Sequence, residues 1–200
     1  MLKLEMPTIK TPRLILRPIT IDDAPAMYAY ASDPENLRFV WFPQHTSVED
    51  SAHVIREFFL DRPKRGLPEP YAIVEATSGQ MIGTIDIHTV RFGDVGELGY
   101  ILNKAYWNRG YTTEALQALI AVAFHHCGFW RVEIQHHADN KASEAVIRKA
   151  GFIKEGVFRQ RKFDEALNRR GDYCFYGINL TDEVVNTHYT QEHYEKTLSQ

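Results

Sequence analysis

Between Glu97 and Glu114 the sequence reads Glu-Leu-Gly-Tyr-Ile-Leu-Asn-Lys-Ala-Tyr-Trp-Asn-Arg-Gly-Tyr-Thr-Thr-Glu, and these residue types suit the capture of an anion. An apolar stretch, Gly99 to Leu102, passes through a short turn into an amphipathic segment by way of Asn108-Arg109-Gly110. A strand–turn–helix junction of this kind aims several backbone N–H groups in one direction, at the positive end of a helix dipole, where phosphate is the usual occupant. Gly110 has no Cβ to keep a phosphate away from the backbone. The same residues also describe an ordinary helix start with Gly in its turn, and both readings stand at this point.

Two further groups carry chemistry. Asn140 and Ser143 lie three apart across a second helix start, where either can cap the helix. Glu97 precedes the anion junction on its strand, as a solvated carboxylate paired with a cation or as a working one. The nine histidines do not converge: His125-His126 and His136-His137 are adjacent pairs that point apart, and no HExxH or Cys/His ligand spacing occurs, so no metal site is expected. Cys127 and Cys174 lack a CxxC spacing, which fits a reducing compartment with both thiols free, a single disulfide being the alternative.

The elements that must position these groups follow from periodicity. Arg13–Arg17 alternates as an opening strand stopped by Pro18. Thr20-Ile21-Asp22-Asp23 starts a helix with its body at Ala24–Ala31, and Thr46-Ser47-Val48-Glu49-Asp50 resembles a capping box before a second helix. Strands are expected at 71–75, 81–90 and 95–102, a helix at 112–126, a strand at 131–135, a helix opened by Asp139–Ser143 and ended at Ala150-Gly151-Phe152, and closing strands at 157–163 and 172–180. Strands on both sides of a strand–helix–strand–helix unit indicate an α/β (α+β) domain with a mixed sheet. One domain over residues 1–180 is expected, with 181–200 as a peripheral helix or tail.

Two hundred residues with 44% hydrophobic and 24% charged content describe an ordinary soluble domain that buries roughly 70% of its unfolded surface. A net charge of -3 lacks the cationic signature of a nucleic-acid binder, although Arg159, Arg161, Lys162, Arg169 and Arg170 form local basic clusters. No apolar run approaches a membrane span and the N-terminus has no apolar signal core, so a cytoplasmic protein without membrane or nucleic-acid partners is expected.

The segment Trp107-Asn-Arg-Gly-Tyr-Thr-Thr-Glu-Ala115, then Asp139-Asn-Lys-Ala-Ser143, then Gly151-Phe152 with Glu155-Gly156, resembles the GNAT N-acetyltransferases. Among them it looks most like the RimJ/RimL type, which acetylates protein N-termini or small amines; Thr11-Pro-Arg-Leu-Ile-Leu-Arg-Pro18 and Gly171-Asp-Tyr173 are similar to that subgroup too. The resemblance runs from about Lys10 to Leu180. It implies a largely antiparallel central sheet flanked by helices, with a splayed pair of central strands, and acetyl-CoA as cosubstrate in the gap between Glu97–Asn103 and Arg131–Gln135.

By that resemblance, backbone groups of Ile101 and Asn103 pair with the pantetheine arm, and amides of Arg109, Gly110, Tyr111, Thr112 and Thr113, in the loop that includes Trp107 and Asn108, hold the pyrophosphate. Trp107 and Thr112 depart from the family's loop pattern at its two ends. Asn140 would bond the arm and Ser143 would lie close to the thioester sulfur. Glu97 is the first choice as general base, a backbone N–H of Ile101 or Leu102 would meet the oxyanion, and Ser143 would be the leaving-group acid, because Ile147 stands where many members carry Tyr. Lys162 stands where RimL-type enzymes offer a Glu. Trp41, Tyr71 and His88, beside Phe42, would line an acceptor pocket, with Asp86 attracting a cationic amine, although each also reads as plain core or surface. Tyr100 faces either core or cofactor. The acceptor would be a small-molecule amine or a peptide N-terminus, a homodimer is plausible from family habit, and the alternative function is a non-catalytic acyl-CoA sensor on the same fold.

Overall fold

The structure, a computed structural model, describes residues 2–40, 43–164 and 168–198. Among these residues, β1 (Ile9–Lys10), β2 (Leu14–Pro18), β3 (Tyr71–Glu75), β4 (Met81–Arg91), β5 (Val95–Leu102), β6 (Arg131–His137), β7 (Ile153–Asp164) and β8 (Arg169–Asn179) form one sheet in the order β1-β2-β3-β4-β5-β6-β8-β7. Every neighbouring pair is antiparallel except β5 and β6. The helices are α1 (Ala24–Ala31), α2 (Pro34–Leu37), α3 (Val48–Val54), α4 (Tyr111–Val122), α5 (Lys141–Lys149), α6 (Glu183–His188) and α7 (Gln191–Leu198). A parallel pair needs a crossover, and α4 supplies it between β5 and β6.

The expected patterning produces these elements. On α4 the stripe of Ala115, Leu116, Leu119 and Ile120 is buried, continuing into a π-turn where Ala123 and Phe124 are buried as well. Ser47 caps α3 reciprocally: its Oγ accepts from the Asp50 N–H at 3.2 Å, and Asp50 accepts from the Ser47 N–H at 3.0 Å. On β4, Ile85 and Ile87 enter the core shared with α4, while Thr84, on the opposite face, lies 3.5 Å from the Tyr30 hydroxyl of α1. Helices therefore cover both faces. One core lies between the sheet and α4, α5, α6 and α7, and a smaller one lies under α1 and α3.

The segment after 180, read as a peripheral helix or tail, carries α6 and α7 and is not peripheral throughout. Val185, Tyr189 and Tyr194 are buried in the larger core, and the Tyr189 hydroxyl donates to the Ala150 carbonyl at 2.7 Å.

The feature that matters most for a site is the junction of β5 and β6. They pair only at Val95 with Arg131, Gly96 with Val132 and Glu97 with Glu133. Beyond Glu97, β5 follows β4 to Leu102, while β6 follows β8 to His137. Each strand keeps its antiparallel partner and loses the other, so a wedge opens whose lips carry backbone groups without a ladder neighbour. This is the splayed pair that the resemblance implied.

Candidate active site

The loop from Asn103 to Gly110 joins one lip of the wedge to α4. Asn108 and Gly110 take left-handed φ values of 59° and 81°, a conformation that Asn and Gly adopt at least cost. The first bond of α4 runs from the Glu114 N–H to the Gly110 carbonyl at 3.1 Å. The amides of Tyr111, Thr112 and Thr113 thus fall in the helix's first turn, where no intrahelical acceptor exists, and no side chain caps them. A clamp from the N-terminal segment braces this loop. Glu114 accepts from the Thr11 hydroxyl at 2.6 Å, the Arg13 N–H at 2.9 Å and Arg13 Nε at 2.7 Å. Arg13 Nη1 donates to the Arg109 carbonyl at 2.8 Å, and its guanidinium lies 4.7 Å over the Tyr111 ring.

The lips of the wedge are asymmetric. The Asn103 N–H donates to the Ile82 carbonyl at 2.8 Å, so it is committed to β4. Bonded pairs alternate along an antiparallel ladder, which turns Ile101 the same way. The backbone groups facing the wedge are therefore those of Tyr100 and Leu102 rather than of Ile101 and Asn103. The Leu102 carbonyl already accepts from Asn36 Nδ2 at 2.6 Å and from Trp107 Nε1 at 2.7 Å, leaving its N–H. The Asn103 side chain caps its own turn, accepting from the Ala105 N–H at 3.0 Å.

Across the wedge, Asn140 is the N-cap of α5 and accepts from the Ser143 N–H at 3.0 Å. The Ser143 hydroxyl meets the Tyr100 hydroxyl at 2.8 Å. Tyr100 thus faces the gap and reaches a partner 43 residues away in the chain. Burial pushes its phenol above the ordinary range, against the lowering pull of Ser143, so it stays a donor at neutral pH.

Glu97 sits at the vertex, where pairing ends, and is 3% exposed. A buried carboxylate is costly unless paired; here Arg91 Nη2 lies 2.5 Å away, Gln135 Nε2 donates from the opposite lip, and His88 Nε2 is 3.9 Å off. Burial alone would raise its pKa, but the Gln135 and Arg91 hydrogen bonds and the nearby positive charges hold the carboxyl below its usual value. Among the described residues the Gln135 Oε1 is buried without a partner. Lys162 stands close enough to feel Glu97; burial brings its ammonium down to about 8, against the raising influence of that carboxylate.

The expected acceptor pocket fares differently residue by residue. Tyr71 is fully buried in the α4-side core and donates to the Pro7 carbonyl at 2.6 Å, so it lines no pocket. Asp86 is neutralised by Arg62 at 2.7 Å, with both side chains largely buried, and is not free to attract an amine. His88 remains beside Glu97, held to Thr89 Oγ1 at 2.9 Å. Trp41 and Phe42 lie outside the described residues. No group of three His, Cys, Asp or Glu side chains among the described residues could hold a metal ion, and both cysteines are buried and free.

Arg91, Gln135 and Arg13 were not expected at the site, since their contacts are with neighbours distant in the chain. Arg13 carried a signal as part of the Thr11–Pro18 motif, and Arg91 only its basic type. Tyr100 was visible as a residue but not as the partner of Ser143.

The comparisons with known proteins agree with this geometry. A family described as acetyltransferase (GNAT) domain matches residues 13–153. The chain is 33% identical over 156 residues to the uncharacterized N-acetyltransferase YoaA of Bacillus subtilis, covering 77% of this chain and 87% of that one. It is 27% identical over 147 residues to the ribosomal-protein-serine acetyltransferase of Escherichia coli, covering 73% and 77%. In fold it is similar to RimL, a ribosomal L7/L12 α-N-protein acetyltransferase solved in complex with coenzyme A, with TM-score 0.77, 23% identity and coverage of 86% and 97%. The opened wedge, the loop ahead of α4 and these similarities lead to one assignment: the chain belongs to the GNAT acetyltransferase family.

Proposed function

We propose that this acetyltransferase moves an acetyl group from acetyl-CoA directly to a primary amine, within a ternary complex, and that a peptide N-terminal α-amine is the preferred acceptor type. The single observation that carries the reading is the wedge beyond Glu97, with uncapped amides at its mouth and a buried carboxylate at its vertex. Solved complexes of related folds contain coenzyme A in RimL and acetyl-CoA with AMP in the microcin immunity acetyltransferase MccE.

Amides of Arg109 to Thr113 hold the diphosphate, and the Leu102 and Tyr100 backbone edge receives the pantetheine arm, with Asn140 on the other lip. An α-amine of pKa near 8 is about a tenth neutral at pH 7, roughly two hundredfold more than a lysine amine. The neutral nitrogen attacks the thioester carbonyl carbon, and the oxyanion is met by the Leu102 N–H. Once the new C–N bond forms, the nitrogen's proton is far more acidic than that of a free ammonium. Glu97, though a weak base, then accepts it directly or through a water, while Gln135 Oε1 accepts from the same nitrogen. As the C–S bond breaks, Ser143 donates toward the thiolate, and Tyr100 donates to Ser143.

A second assignment of the proton acceptor is favoured by the lowered pKa of Lys162, which matches that of an α-amine. Thiol release with a panel of peptides and amines tests both. Glu97→Gln should abolish most turnover with the pH profile otherwise intact; loss in Lys162→Met with Glu97→Gln unimpaired moves the role to Lys162. Acetyl-CoA binding without release by any acceptor supports the sensor alternative.

A further inference from the structure

An open groove of about 320 Å³ is lined by Arg91 from β4, Glu133 from β6, Phe175 from β8 and Glu155, Phe158 and Arg161 from β7. It lies beside the catalytic carboxylate because Arg91 bridges the two, touching Glu97 at 2.5 Å and Glu133 at 3.3 Å. Phe158 and Phe175 form its apolar wall, packed edge to face with centroids 4.3 Å apart. The Arg161 guanidinium lies over both rings, 5.0 and 4.9 Å from their centroids.

The charges here are unevenly matched. Glu133 is shared by Arg91 and Arg131, and Glu155 is bonded by Arg131. Arg161 is exposed and has no carboxylate partner among the described residues. Stacking fixes the plane of its fork and leaves the edge N–H groups open, the geometry that receives a carboxylate bidentately.

We infer that this groove recognises a carboxylate on the acceptor, with Arg161 as a specificity-determining residue, so that the acceptor presents its amine to Glu97 and an acidic group to Arg161. The chemistry is that of a free amino acid or of a peptide with an acidic side chain near its N-terminus. This rests on the acetyl-transfer reading for the position of the amine, and its test therefore measures binding apart from turnover.

The probes are the peptide amides Ala-Glu-Ala-Ala and Ala-Gln-Ala-Ala and free glutamate, each titrated into CoA-saturated protein. The Glu peptide should bind about tenfold or more tightly than its Gln counterpart, the size of one charge-assisted bidentate contact. In Arg161→Gln the ratio should fall to about one, and Arg161→Lys should restore only part of it. Preferential binding of glutamate over both peptides, lost in Arg161→Gln, would place the carboxylate on a small acceptor. Equal affinities in the wild type, a ratio unchanged by Arg161→Gln, or no binding of any probe would overturn the inference. Arg161-dependent binding without acetylation would leave the groove standing and refute the catalytic reading instead.

Discussion

At the scale of single residues, the proposed reaction divides the chemistry between Glu97 and the Tyr100–Ser143 pair. Glu97 is buried, paired and held below its ordinary pKa, so it stays ionised, and in the proposed reaction it takes a proton only after the nitrogen has become acidic. Glu97→Gln should lower kcat by about 100-fold or more with a much smaller change in acceptor KM, read by thiol release. Ser143→Ala and Tyr100→Phe should each slow the reaction, and the double variant should be little worse than Ser143→Ala. Two residues in one chain of hydrogen bonds act as a unit; additive losses would separate them. Glu97 and Ser143 were readable as candidates because their neighbours in sequence carry the family pattern. Arg91, Gln135 and Tyr100 were not readable as partners, since their roles exist only once strand register and the wedge bring distant residues together. Tyr71 was misread for a related reason: β3 is covered on both faces, and alternation cannot tell which side leads to a site when neither is exposed.

At the scale of elements, the loop ahead of α4 is braced by a clamp built from the turn between β1 and β2. Thr11 and Arg13 together give Glu114 three hydrogen bonds, and Arg13 also holds the Arg109 carbonyl, so the loop is braced just ahead of the uncapped amides of α4. Removing Arg13 should loosen that aim rather than the chemistry. Arg13→Ala should raise the KM for acetyl-CoA about tenfold, the range of a lost charged hydrogen bond, while kcat/KM for S-acetyl-N-acetylcysteamine, which lacks the diphosphate, stays the same. An equal loss with both donors would show a general structural defect. The element order was legible because helical and strand periods are local. The direction of backbone groups was not: Ile101 and Asn103 turn toward β4 because of the ladder phase set by the Asn103–Ile82 bond, which no spacing within β5 reveals.

At the scale of the whole molecule, two cores pack against one sheet, and buried or half-buried ion pairs tie their margins together. Asp23 at the start of α1 accepts two hydrogen bonds from Arg17, at 2.6 and 2.8 Å, and one from the Thr20 N–H at 2.8 Å. Burial would raise its pKa, but these bonds outweigh it and the carboxyl lies below its usual value, as that of Glu97 does. Folded values below unfolded ones mean stability that is complete above the unfolded range, about pH 4, and lost as pH falls through the folded values. Thermal unfolding should therefore show Tm nearly constant from neutral pH down to about pH 5 and falling steeply below, with a shallower fall in Asp23→Asn. No helix of the described residues is long and apolar enough to cross a membrane.

Whether the wedge between β5 and β6 takes acetyl-CoA is measured directly by calorimetric titration of acetyl-CoA into the intact protein. One-to-one binding at micromolar concentration, weakened in Arg13→Ala, is expected. Absence of binding at high micromolar acetyl-CoA would contradict the proposed acetyl transfer.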